Sequence, residues 1–336
     1  MRRRKPLRCF LVLALAVGLG LLASMGCART QSPPAVQAEP QAEPSPDTVR
    51  LEVRESELEG RSVRWLYLPQ VSRVFAGNRN GELLAVLWRE GGTPKRPEEL
   101  PAIYVLNPAT GEAKKVADLG PGLRILTAAM DESWVAWVEQ SETEWRILAL
   151  NRSTSTTREI DWGRYLKGVG SDFPALGLDS GSLVYNILVQ SAEGMTSRVI
   201  LKVLPDKETR TLGQVTGDRQ YLGAPSISGD HVVWHRGEWT ANMAAEVYEY
   251  DLSSGQSRRL SGDDPSITPV IWGRYVVWST YDAKSPETKN ISLYDLQTGS
   301  LKYLTQAAPE DHTEFWAPTS KRRRVICLVQ GLPGSR

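Results

Sequence analysis

The feature that most constrains this chain is a repeat. An apolar, strand-length run recurs as Leu83–Val86, Trp134–Trp137, Leu183–Tyr185, Val232–Trp234, Val276–Trp278 and Val325–Cys327. The last residues of these runs are 51, 48, 49, 44 and 49 positions apart, a period near 48. A second β-branched and aromatic run follows each of the first five: Ile103–Leu106, Ile147–Leu150, Ile200–Val203, Val247–Tyr250 and Ile291–Tyr294. Such runs favour the pleated, half-buried surface of a strand. Three of them lead into a shared turn, Asn107-Pro-Ala-Thr-Gly111, Asp251-Leu-Ser-Ser-Gly255 and Asp295-Leu-Gln-Thr-Gly299, in which the Asx side chain accepts backbone N–H groups and glycine supplies a positive φ. A further strand follows the turn (Ser257–Leu260, Leu301–Leu304) and another precedes the aromatic run (Ala224–Ile227, Thr268–Ile271).

Four antiparallel strands repeated every 40 to 50 residues match the blade of a β-propeller, whose faces are buried against neighbouring blades. The spacing therefore predicts an all-β chain of five full blades and a sixth, begun by Trp316–Pro318 and Val325–Val329. The sixth is short of outer strands, and Val49–Val53 and Ser62–Leu68 are predicted to supply them. Pairing the two chain ends in one blade closes the ring and removes open sheet edges. Units such as Pro225–Trp234 followed by Val247–Gly255 resemble the repeats of TolB-type six-bladed propellers and related cell-surface propellers, over roughly residues 50 to 330. Units two and three depart from that pattern: Asn151-Arg-Ser-Thr lacks the turn glycine, and Leu204-Pro-Asp lacks the Asp at the expected place. The resemblance implies a protein-binding or scaffolding role outside the cytoplasm.

Ahead of the repeats lie two segments of different character. Arg2–Arg8 is basic and Cys9–Ala23 is apolar without a charge, the layout of an export signal, and 15 residues is short for a permanent span. Ala23-Ser24-Met25-Gly26-Cys27 resembles the bacterial lipobox, with Ser24 where Leu is commonest. That resemblance implies cleavage after residue 26 and a lipid on Cys27, placing the mature chain outside the cytoplasm on a membrane. Residues 28–47 are Pro-rich with almost no large apolar side chain, so 27–47 reads as an anchor and extended tether. Residues 48–336 are then the propeller.

Charge narrows the partners. The chain carries 40 basic and 39 acidic side chains, and losing the five basic residues of the signal leaves 35 against 39, a net of −4. A mildly acidic body has no global attraction for a phosphate backbone, so nucleic acid is excluded as the main partner. Cys327 has no partner cysteine once Cys9 is removed and Cys27 acylated, so no disulfide is expected.

Signatures of chemistry are sparse. His231 and His235 lie on one face of a strand about 13 Å apart, too far to chelate one metal. There is no HExxH, Walker A or GxSxG motif. No metal and no cofactor is expected. Asp172, Asp218, Asp264 and Asp311 precede successive innermost strands at steps of 46, 46 and 47, positions that face a channel mouth in a propeller. They read either as a partial acidic ring for a cationic group or as ordinary turn residues in solvated loops. Trp137, Trp234 and Trp278 recur at one blade position and are expected to pack between blades, whereas Trp145, Trp162 and Trp239 lie in polar surroundings and are candidate surface anchors. The reading is an anchored, non-catalytic scaffold for an envelope protein or polysaccharide. The alternative is a propeller glycan hydrolase or lyase with carboxylates at the channel mouth.

Overall fold

The computed structural model describes residues 49–50, 52–58, 61–67, 71–87, 102–120, 122–165, 173–191, 194–205, 208–238, 245–282, 285–305, 314–321 and 324–330. The expected signal at 1–26 and the expected anchor and tether at 27–47 lie outside them. Strand β1 (Val49–Arg50) and the hairpin β2 (Glu52–Leu58) and β3 (Arg61–Tyr67) precede the first repeat. Five antiparallel sheets follow, one per repeat. Blade 1 is β4 (Val71–Gly77), β5 (Leu83–Leu87), β6 (Ala102–Asn107) and β7 (Glu112–Asp118). Blade 2 is β8 (Arg124–Met130), β9 (Trp134–Gln140), β10 (Glu144–Asn151) and β11 (Thr156–Arg164). Blade 3 is β12 (Leu176–Asp179), β13 (Ser182–Ser191), β14 (Gly194–Val203) and β15 (Thr209–Thr216). In blade 4 the inner strand is split into β16 (Gln220–Leu222) and β17 (Ser226–Ser228), both on β18 (His231–Glu238), followed by β19 (Ala245–Asp251) and β20 (Gln256–Arg259). Pro225, which has no N–H to give a ladder, stands in that gap. Blade 5 is β21 (Ser266–Trp272), β22 (Tyr275–Asp282), β23 (Ser285–Asp295) and β24 (Ser300–Tyr303), and a last hairpin is β25 (Glu314–Lys321) with β26 (Arg324–Gln330).

The repeating runs of the sequence are the second and third strands of these blades, buried because they sit mid-sheet with a neighbouring blade on either face. Each interface is apolar: Leu84, Ile103 and Val105 of blade 1 meet Val135 and Trp137 of blade 2, and Val233 and Val247 of blade 4 meet Val276 and Trp278 of blade 5. Trp137, Trp234 and Trp278 are at most 4% exposed, as their shared position predicts. The inner strands pack in series, β4 on β8, β8 on β12, β12 on β17, β17 on β21 and β21 on β25.

The Asx turns form as expected. Asn107 Oδ1 accepts Ala109 N–H at 2.9 Å and Asp251 Oδ1 accepts Ser253 N–H at 2.8 Å. In the second repeat, which lacks the glycine, Ser155 adopts the left-handed conformation instead, with φ 54° against 71° at Gly255. One expectation is corrected. Val49 and Arg50 do not join the C-terminal strands; they pair with Ala113 and Glu112 and add a fifth strand to the outer edge of blade 1. The edge of β7 presents unpaired backbone groups, and a short extended segment satisfies them. β2 pairs with β3 and β25 with β26, so among the described residues no ladder joins the two ends of the chain.

Candidate functional site

The inner strands of the five blades line a common channel. Several of these strands change register midway, between Val74 and Ala76, Ile125 and Ala128, and Ile267 and Val270, which turns their side chains along the wall. Small and aliphatic residues from five blades, among them Ala76, Ala128, Leu176, Ala224 and Val270, enclose a cavity of about 340 Å³.

Polar groups gather where the inner strands end. Asp131, 3% exposed, accepts the backbone N–H of Ser133 and Trp134, both at 2.7 Å, and of Gly181 in the next blade, also at 2.7 Å. Asp179 repeats this one blade on, accepting Gly229 N–H at 2.8 Å, and Ser228 Oγ accepts Gly273 N–H at 2.9 Å. Blades 2, 3 and 4 thus each hand an acceptor to the turn of the next blade. Asn78 holds the corresponding place in blade 1, where its Oδ1 accepts Asn80 and Glu82 N–H. Arg79 then reaches over blade 2 to blade 3: its Nη2 lies 2.6 and 2.9 Å from the Asp179 carboxylate oxygens, while its backbone N–H donates to Glu132. The Arg79 side chain is 56% exposed and that of Asp179 11%, so the pair presents a guanidinium to solvent over a nearly covered carboxylate. Beside it, Arg152 grips Glu82 through two contacts of 2.9 Å and also donates to the carbonyls of Asp131 and Glu132. The Arg152 hydrogen bond is the main cause holding the Glu82 carboxyl below its ordinary pKa.

Toward the other side of the wall, His235 is packed under Gly223, whose missing side chain leaves room for the ring. Its Nδ1 accepts Thr268 N–H at 3.3 Å, and Tyr221 meets it edge-on at 5.6 Å. Burial pushes this imidazole down to about 4.

The residues singled out from sequence are placed differently. Asp218 is exposed in the turn before β16, and Asp264 accepts Tyr303 Oη–H at 3.3 Å on its own blade. Neither lines the cavity; both lie in loops that precede inner strands. Asp172 and Asp311 lie outside the described residues, as does Trp239. Trp145 is not a surface residue: it is 4% exposed, in the core between blades 2 and 3. Its indole occupies the place a side chain on Gly163 would take, a Cβ there falling 2.4 Å from Cζ2. Trp162 is 55% exposed on the outer strand β11. Sequence reasoning missed Asn78, Asp131, Asp179 and Ser228, although their steps of 53, 48 and 49 follow the repeat. Among the described residues no three His, Cys, Asp or Glu side chains are grouped to hold a metal ion.

No protein-family model and no curated protein matches this sequence. Solved structures do. The β-propeller domain of the Trilobed protease from Pyrococcus furiosus, which has an open velcro topology, superposes with a TM-score of 0.55 and 12% identity over 84% of this chain and 86% of that one. An oligogalacturonate lyase from Vibrio parahaemolyticus gives 0.50 and 14% identity over 77% and 73%. TolB from Acinetobacter baumannii gives 0.47 and 17% identity over 75% and 61%. The chain has the β-propeller fold.

Proposed function

We propose that this chain is a six-bladed extracytoplasmic propeller, held to a membrane by a lipid on Cys27, that binds an envelope protein or polymer at a channel mouth without catalysis. The observation that carries the binding site is the Arg79–Asp179 pair, an exposed guanidinium seated on a covered carboxylate at the rim of an apolar channel. A partner segment entering there meets both charges in a partly desolvated setting, where ion pairing discriminates between partners. The opposite mouth, with Asp172, Asp218, Asp264 and Asp311, and the exposed Trp162 form a second contact surface in this reading.

Two observations support a sixth blade. Leu83, Ala85, Leu87, Ala102, Tyr104 and Leu106, on the face of blade 1 turned away from blade 2, are 7% exposed or less. β25 packs against β21, β22 and β23 of blade 5. A blade containing β25 and β26 fills the place between them.

The test uses the native host. Wild type, Cys27→Ser and Arg79→Ala are labelled with a radioactive fatty acid, cross-linked and compared for what co-purifies. Label lost in Cys27→Ser, and a defined partner lost in Arg79→Ala with label retained, is the expected result. No label in the wild type removes the anchor; a partner retained by Arg79→Ala moves the site elsewhere. Turnover of a glycan without any partner replaces the scaffold by an enzyme.

A further inference from the structure

A second cavity, which shares only Glu132 with the channel lining, lies between the outer halves of blades 1 and 2. It measures about 550 Å³, within the range of small-molecule sites. Its floor is apolar: Val105, Val116 and Leu150, all part of the interface core. One wall is Lys114 on β7, and the other is Ser155 in the turn after β10 with Thr157 at the start of β11; Ser133 and Glu132 close the inner end.

The charges in this cleft sort into satisfied and unsatisfied groups. Arg152 is committed to Glu82 and two carbonyls, and Lys115 stands 3.4 Å from Asp118. Lys114 is exposed and makes no hydrogen bond or ion pair among the described residues, nor do the hydroxyls of Ser133, Ser155 and Thr157. Its charge acts on Glu82, whose oxygens already belong to Arg152 and Asn78. Glu132 gives one carboxylate oxygen to Arg79 N–H and keeps the other. The cleft therefore offers an ammonium on one wall, hydroxyls on the other, an apolar floor and a carboxylate at the inner end. An apolar floor suits the C–H face of a pyranose, the hydroxyls and Glu132 suit its hydroxyl groups, and Lys114 suits an oxyanion carried on the ring.

We propose that the cleft between blades 1 and 2 binds an acidic sugar unit, with Lys114 pairing the carboxylate and Thr157, Ser155 and Glu132 reading the ring hydroxyls. The site shares Glu132 with the lining of the channel and no other residue. Arg152 is a positioning residue: its two contacts with Glu82 tie the turn that carries Ser155, and leads into Thr157, to blade 1, and its two contacts with the Asp131 and Glu132 carbonyls tie it to the loop before β9.

The experiment is calorimetric titration of the full chain with D-glucuronate, D-glucose and inorganic phosphate. Glucuronate binds at one site, and glucose binds at least tenfold more weakly. Lys114→Glu weakens glucuronate at least tenfold without moving the melting temperature by more than a few degrees. Thr157→Val, which keeps the β-branched shape, weakens glucuronate and glucose together, and Arg79→Ala changes neither. Equal glucuronate affinity in Lys114→Glu overturns the pairing, and phosphate binding as tightly as glucuronate overturns the sugar in favour of a bare anion. Loss of binding in Arg79→Ala overturns the location, placing the sugar in the channel; unchanged sugar binding alongside failure of the Arg79 partner test leaves this cleft standing alone.

Discussion

Gly223→Ala is the sharpest single perturbation the structure offers. A Cβ on Gly223 falls 1.8 Å from His235 Cε1 and 2.2 Å from Nε2, well inside van der Waals contact. The ring cannot retreat: it is 7% exposed, Tyr221 stands edge-on to it, and Nδ1 is engaged by Thr268 N–H. Gly223 itself has no left-handed φ, so the substitution costs packing and not backbone strain. Overpacking a filled core costs about 1–3 kcal/mol; this overlap belongs at the upper end, and a lost hydrogen bond adds about 1 kcal/mol. Gly223→Ala should therefore destabilise by about 3–4 kcal/mol. In a His235→Ala background the ring is gone, and the same change should be neutral or stabilising by about 0.5 kcal/mol through the unfolded chain. Urea unfolding of the four proteins of the cycle, followed by tryptophan fluorescence, gives the coupling. A cost below about 1 kcal/mol in the wild type, or equal costs in both backgrounds, refutes the packing argument.

Other expectations follow from the same interfaces. The His235 pKa is depressed from 6.5 to about 4, so the unfolded chain takes up the proton first: stability present above pH 6.5 is lost as pH falls toward 4, by up to about 3 kcal/mol. His235→Gln should flatten that part of a stability–pH profile measured by urea midpoints; an unchanged slope there assigns the loss to other groups. Asp131→Ala leaves three backbone N–H groups without their acceptor and should cost about 3 kcal/mol, with Asp131→Asn losing less, both read from denaturant midpoints. Trp278→Ala should cost about 3–5 kcal/mol and Trp162→Ala less than about 1, since one is 1% exposed and the other 55%; thermal melts separate them.

The blades were legible because their period is written twice per unit, once in each of the two central strands, and burial on both faces forces those positions to be apolar. The tryptophans of β9, β18 and β22 were legible for the same reason. Trp145 was misread because Glu142, Thr143 and Glu144 make its surroundings polar, while the socket that buries it is Gly163 on the adjoining strand, 18 residues away and silent as a glycine. The polar rim was hidden by chemistry of another kind. An Asp at a turn looks alike whether it caps its own turn or receives an N–H from the next blade, and Asp131 does both. Arg79 and Asp179 stand 100 positions apart, a separation that only the packing of successive blades closes.

The run of acceptors from Asp131 to Gly181, Asp179 to Gly229 and Ser228 to Gly273 has a direction, always from one blade to the turn of the following one. A gene that gains or loses a blade must then cut within this series at matching points. Any whole period carries one acceptor and one donor turn, so a blade copied as a complete unit keeps every partner matched wherever the cut falls. A cut that adds or removes only part of a period leaves a donor without its recipient, or the reverse.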